Sequence, residues 1–133
     1  MQTILVIDDD PVFVRAAESM LAEAGYRAVH ATDGKEAARL LDKMNREIDL
    51  AIVDLALPNL NGFELIGAIT RRPNAMKIIA TSGVFGDLQL ETATTLGAHA
   101  AIRKPPVITS LPRNEWLGTI QKLIGSKRKT AQD

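Results

Sequence analysis

Three carboxylates, Asp8, Asp9 and Asp10, follow the apolar run Ile4-Leu5-Val6-Ile7 without a break and stand directly before Pro11. Acids crowded at the end of a semi-buried strand raise one another's pKa unless something positive joins them. A hard divalent cation such as Mg²⁺ suits that role, because it prefers oxygen donors and takes only a few from protein. Asp10 has a second use, as the N-cap of a helix that opens with Pro11 at its first position. A solvated acidic helix cap is the plain alternative for Asp8 and Asp9.

Other reactive groups sit at equivalent places. Asp54 closes the run Leu50-Ala51-Ile52-Val53, Thr81 and Ser82 close Met76 to Ala80, and Lys104 follows Ala98 to Arg103. Asp8, Asp9 and Asp54 together form a nest of carboxylates for one Mg²⁺ that keeps several waters. An oxygen of Asp54 is then free to attack phosphorus, as carboxylates do when they form acyl phosphates. The equatorial oxygens of a moving phosphoryl group need neutralising. The cation, the Lys104 ammonium and the Ser82 hydroxyl with nearby backbone N–H groups meet that need. Spacing back from Lys104 favours Ser82 as the hydroxyl, with Thr81 as the alternative. Singly these signals are weak, since a strand-terminal Ser is usually a cap and a Lys before Pro is usually a solvated loop residue. Their strength lies in each one ending a separate apolar run.

Those runs imply the elements that must position the groups. Met1 to Ile7 reads as a strand buried on both faces, the kind found in parallel sheets. A helix follows from Val12 to Ala24, with Val12, Ala16, Met20 and Ala24 as its inward stripe and Gly25 as its stop. Tyr26 to Ala31 is polar enough for an edge strand. Thr32 or Asp33 caps a second helix to about Asn45, packed through Ala37, Leu40, Leu41 and Met44. Leu50 to Val53 is a buried strand, and the loop from Leu55 to Gly62 is dense in turn formers around Pro58. Phe63 to Thr70 is a third helix, facing inward with Leu65, Ile66 and Ile69, and residues 71–74 break it. Met76 to Ala80 is a strand, Asp87 to Leu96 a helix ended by Gly97, and Ala98 to Arg103 a strand. Leu111 to Ile124 is the last helix, with Trp116 read as core packing rather than a partner contact. Five strand–helix alternations predict an α/β fold, a doubly wound parallel sheet with helices on both faces and right-handed crossovers. Ligands of such sheets bind outside the carboxyl ends of the strands, which puts Asp8, Asp9, Asp54, Ser82 and Lys104 on one rim.

Composition narrows the function classes. The chain has 133 residues, 46% of them hydrophobic, which fits a single domain with a proper core. Lys plus Arg and Asp plus Glu both number 16, so charge balance predicts neither a nucleic-acid nor a membrane partner. With no Cys, disulfides and thiolate metal sites are excluded. No stretch reaches the length of a membrane span, and no signal peptide is evident, so a cytoplasmic domain is expected. The expected layout is a domain over residues 1–124 and a polar, frayed tail over residues 125–133. That tail is too short for an effector module, so output through another protein, or a place in a phosphoryl relay, is expected.

Taken together, Asp8-Asp9 after a hydrophobic strand, Asp54 in Ile52-Val53-Asp54-Leu55 with Pro58 and Gly62, Ser82 after Ile78 to Thr81, and Lys104-Pro105 after Gly97-Ala98 form a specific set. Over nearly its whole length the chain resembles the receiver domain of bacterial two-component response regulators, in the stand-alone, chemotaxis-type form. The resemblance implies a flavodoxin-like fold with strand order 2-1-3-4-5. It also implies phosphorylation of Asp54 by a sensor histidine kinase or a histidine phosphotransfer protein, and a downstream protein target. Mg²⁺ is implied on Asp9, Asp54 and the backbone carbonyl of Ala56, with Asp8 acting through water and a cis bond between Lys104 and Pro105. Two departures bear on output: Ala101 stands where many members carry an aromatic, and Pro106 where Phe is common.

Three rivals compete. The acids also fit the Asp-x-Asp-x-Val signature of haloacid-dehalogenase-like phosphatases, with Asp8 as nucleophile and Asp10 as general acid. That assignment lacks a later acidic motif and leaves Asp54 idle. A flavodoxin-like nucleotide binder would place Gly and hydroxyl residues, not three acids, before the first helix, and a P-loop is absent. An inactive receiver serving only as a binding module is disfavoured because all five site residues are present.

Overall fold

The computed structural model describes residues 1–57, 61–73, 76–83, 87–105 and 111–125. Five strands, β1 (Thr3–Ile7), β2 (Arg27–Ala31), β3 (Ile48–Asp54), β4 (Lys77–Ser82) and β5 (Ala100–Arg103), alternate with five helices. The helices are α1 (Pro11–Glu23), α2 (Gly34–Met44), α3 (Gly62–Thr70), α4 (Asp87–Leu96) and α5 (Arg113–Ile124). All pairings are parallel and the order is β2-β1-β3-β4-β5, the expected doubly wound, flavodoxin-like arrangement. Order reverses beside β1, so a crevice opens where β1 and β3 end.

Strand alternation divides the core in two. Leu5, Ile7, Ala51, Val53, Ile78 and Ala80 face α2, α3 and α4. Ile4, Val6, Leu50, Ile52, Ile79 and Ile102 face α1 and α5. Because β1 and β3 are buried and apolar on both faces, they belong in the middle of the sheet rather than at an edge.

Helix α1 corrects the sequence reading. Its buried residues are Phe13, Val14, Ala17, Met20 and Leu21, whereas Val12 is 51% exposed and Ala24 lies beyond the helix, exposed. Of the predicted stripe Met20 is buried and Ala16 partly so, while Val12 and Ala24 are exposed. Phe13, Ala17 and Leu21 also recur every fourth residue, and they offer far more apolar surface than Ala16 and Ala24. The helix starts as expected: Asp10 Oδ1 accepts from the Val12 amide at 2.9 Å, with Pro11 at the first turn. Asp33, not Thr32, caps α2, accepting from the Glu36 amide at 2.8 Å, while Glu36 accepts from the Thr32 amide at 2.9 Å.

Helix α5 starts at Arg113 rather than Leu111, because Pro112 sits extended as its N-cap. Trp116 is fully buried, as expected. Its neighbour Gly118 has open space where a Cβ would go. Gly118→Ala is therefore expected to raise stability by about 0.5–1 kcal/mol, measured by urea unfolding.

β5 begins at Ala100, two residues later than predicted, because a side chain takes over the ladder. The His99 amide donates to the Ile78 carbonyl at 2.8 Å, and the Ile78 amide donates to His99 Nδ1 at 3.1 Å. An accepting Nδ1 must be unprotonated. Partial burial, and then the nearby charge of Lys77, hold the His99 pKa below its ordinary value. A lowered folded-state pKa means the contribution is present above the unfolded value near 6.5 and fades as pH falls through it. Replacing His99 with Gln is expected to flatten that part of the stability curve. The amplitude is below about 1 kcal/mol because the ring is partly in water.

Lys104–Pro105 is trans, and no peptide bond is cis among the described residues, contrary to the expectation. The two X–Pro isomers differ by only about 0.5–1 kcal/mol, too little for local sequence to decide. Ala101 is partly buried against the α2–α4 core. Pro58, Pro106 and the tail over residues 126–133 lie outside the described residues.

Candidate functional site

Each strand end delivers its side chain by parity. Asp8 continues the row of Ile4 and Val6, Asp54 that of Leu50 and Ile52, and Lys104 that of Ile102. All three therefore end on the α1–α5 side of the sheet. Asp8 is 0% exposed and Asp54 4%, while Asp9 is open to solvent. Ligand oxygens of Asp8, Asp9 and Asp54 lie within 4.8 Å of one another.

Each buried carboxylate is held at one oxygen by an amide two residues on. Asp8 Oδ1 accepts from the Asp10 N–H at 2.9 Å, and Asp54 Oδ1 from the Ala56 N–H at 3.0 Å. Their other oxygens meet Lys104, whose Nζ stands 2.6 Å from Asp8 Oδ2 and 3.4 Å from Asp54 Oδ2. The Asp8 contact is a close ion pair without hydrogen-bond alignment. Burial pushes the Asp8 carboxyl up to about 6 despite Lys104 and the Asp10 amide, which pull it down. Burial alone lowers the Lys104 pKa, but its contacts with Asp8 and Asp54 outweigh that and hold the amine above its ordinary value.

Thr81 and Ser82 end the neighbouring strand β4. Thr81 pairs in register with Asp54, and both Thr81 and Ser82 are fully buried. The Lys104 amide donates to the Ser82 carbonyl at 3.2 Å, which ties the two strand ends together. Gly62 allows α3 to begin against β3, since a Cβ there would stand 2.6 Å from the Asp54 carbonyl oxygen and 2.6 Å from Leu55 Cα.

Sequence reasoning missed Phe13. The Lys104 ammonium rests 4.6 Å from the centroid of its ring, and the misplaced α1 stripe hid that contact. The signal was available: Phe13 is the first large apolar residue after the acids.

The donor set suits a divalent cation. Three carboxylates whose oxygens lie within 4.8 Å of one another, against one ammonium, leave two negative charges, all on hard oxygen. The family model of the response regulator receiver domain matches residues 4–112. The chain belongs to this family.

Among curated relatives, this receiver domain is 33% identical to the response regulator GtcR of Aneurinibacillus migulanus over 104 residues, 78% of this chain and 42% of that protein. It is 28% identical to the response regulator SaeR of Staphylococcus aureus over 105 residues, 79% of this chain and 45% of that one. The chain thus spans less than half the length of these relatives. A response regulator receiver domain from Clostridium thermocellum superposes with a TM-score of 0.82 at 26% identity, covering 100% of both chains. A CheY-like receiver domain protein from Methanospirillum hungatei gives a TM-score of 0.81 at 25% identity, covering 98% of each.

Residues 4–112 are thus a receiver domain of the response regulators of two-component systems. Neither the phosphatase nor the nucleotide-binder assignment is favoured. Among the described residues no helix is long and apolar enough to cross a membrane.

Proposed function

We propose that Asp54 is the phosphoacceptor of a cytoplasmic receiver spanning residues 1–124. Its phosphoryl group comes from a sensor histidine kinase or a histidine phosphotransfer protein, and its output is altered binding to another protein. The observation that carries this is the position of Asp54: buried, fixed at one oxygen by the Ala56 amide, and within 3.4 Å of a lysine shared with Asp8.

Asp8, Asp9, Asp54 and the carbonyl of Ala56 would hold Mg²⁺, which supplies charge neutralisation for the phosphoryl oxygens. An Asp54 carboxylate oxygen attacks phosphorus, an O–P bond forms, the donor's N–P bond breaks, and imidazole leaves. Lys104 moves from the carboxylates onto a phosphoryl oxygen, and Ser82, with Thr81 as the alternative, donates its hydroxyl to another. The Ala56 amide keeps Asp54 oriented throughout. The domain assists its own phosphorylation and dephosphorylation but turns over no substrate.

Incubation with acetyl phosphate and Mg²⁺, followed by intact-mass measurement, tests this. One phosphoryl group is expected on the wild type and none with EDTA or on Asp54→Asn. Steady phosphate release that survives Asp54→Asn but is lost in Asp8→Asn would overturn it in favour of a phosphatase.

A further inference from the structure

The groups assigned above leave one close partner of Lys104 without a role. Its ammonium has three close neighbours: Asp8 Oδ2, an ion pair at 2.6 Å, and Asp54 Oδ2, a hydrogen bond at 3.4 Å. The third is the ring of Phe13, with the ammonium over it and 4.6 Å from its centroid. A cation within about 6 Å of a ring face is attracted by the ring's negative quadrupole, more strongly where water is excluded. Water is excluded here, since Lys104 is 9% exposed and Phe13 0%.

We propose that Phe13 is a positioning residue for Lys104: its ring face holds the ammonium between the two buried carboxylates, ready for the phosphoryl group. This rests on the role given to Lys104 under the proposed function. If Phe13 served only as filling, any apolar side chain of similar size would leave the lysine where it is. A ring differs in having a face that attracts a cation. The ring is itself braced, since Trp116 of α5 packs on it with centroids 5.7 Å apart and planes tilted by 58°. Phe13 cannot swing away without opening the core around Trp116, and Lys104 is held over a fixed platform. The same contact makes Trp116 a reporter, because it is the only tryptophan in the chain.

The test compares wild type with Phe13→Leu, Phe13→Met and Leu21→Ala. Leu21 is fully buried on the same helix, eight residues and about 12 Å further along, so its truncation controls for loss of core alone. The first readout is NMR of lysine ε-methylene groups in the metal-free protein. One such signal, absent in Lys104→Arg, is expected upfield of the rest through the ring current. It should return to the ordinary position in both Phe13 variants and stay displaced in Leu21→Ala. The second is the initial rate of phosphorylation by acetyl phosphate at saturating Mg²⁺, expected to fall about fivefold or more in the Phe13 variants and less than twofold in Leu21→Ala. Trp116 emission follows the same reaction in each variant. An undisplaced wild-type lysine signal, or Phe13 variants that retain both the displaced signal and the wild-type rate, overturns the proposal. A wild type that takes no phosphoryl group while showing the displaced signal defeats the phosphoacceptor role and leaves the Phe13–Lys104 pairing standing.

Discussion

Replacing Lys104 with Met is expected to cost about 3 kcal/mol of stability at pH 7 in the absence of divalent cations. The substitution leaves Asp8 and Asp54 buried side by side without the ammonium that now bridges them. Asp8 already has a pKa near 6, and removing Lys104 deletes two of the influences that pull it down. Its folded-state pKa in the variant therefore lies further above the unfolded value. A folded state that binds more protons than the unfolded one gains stability as pH falls. The variant should thus recover much of its loss between pH 7 and pH 5, where Asp8 is protonated in both proteins and only one negative charge is left unpaired. Saturating Mg²⁺ at pH 7 should narrow the gap in the same direction, because without the ammonium on Asp8 and Asp54 the cation binds the variant's folded state more tightly than the wild type's. Urea unfolding at the two pH values, with EDTA and with Mg²⁺, measures all of this. A loss of equal size under every condition would mean that Lys104 contributes packing rather than charge. Phosphorylation by a small donor should fall by roughly a hundredfold or more, the usual effect of removing one group that stabilises developing charge.

A second large effect is expected at Gly62. A Cβ there would meet backbone atoms at 2.6 Å, the Asp54 carbonyl oxygen and Leu55 Cα, and backbone cannot turn aside as a flexible side chain can. Gly62→Ala must push α3 off the end of β3 or bend β3 itself. Overpacking of this kind costs roughly 1–3 kcal/mol, here toward the upper end, or about 10 °C in Tm for a domain of this size. The change falls at Asp54, the proposed acceptor and metal ligand, so Mg²⁺ affinity should drop alongside stability. Gly118→Ala, the same change in open space, moves stability the other way. Calorimetry and Mg²⁺ titration of the two variants separate a local clash from a general intolerance of alanine.

Much of this site was legible in the sequence because its placement is topological. A buried strand that runs into a polar residue must deliver it to the carboxyl rim, so Asp8, Asp54 and Lys104 could be brought together without knowing any contact. The strand order came from the resemblance, and the sheet has it. Contacts made across the fold were not legible. Nothing local to Lys104 says that Asp8 is nearer than Asp54, since that depends on how β5 is seated. The α1 stripe was misjudged because Val12-Ala16-Met20 and Phe13-Ala17-Leu21 share one period, and only surface area chooses between them. β5 is shorter than its small-residue run implies because the His99 ring substitutes for a backbone carbonyl, which no strand pattern encodes.

The two rows of alternating side chains carry one more implication. Asp8, Asp54 and Lys104 finish rows that belong to the α1–α5 layer, whereas Ser82 finishes the row of Ile78 and Ala80, which belongs to the opposite layer. A small anion gripped by the amine and the hydroxyl together would act as a clasp across the sheet's end. Its arrival would draw on both halves of the molecule at once, and its departure would release them separately.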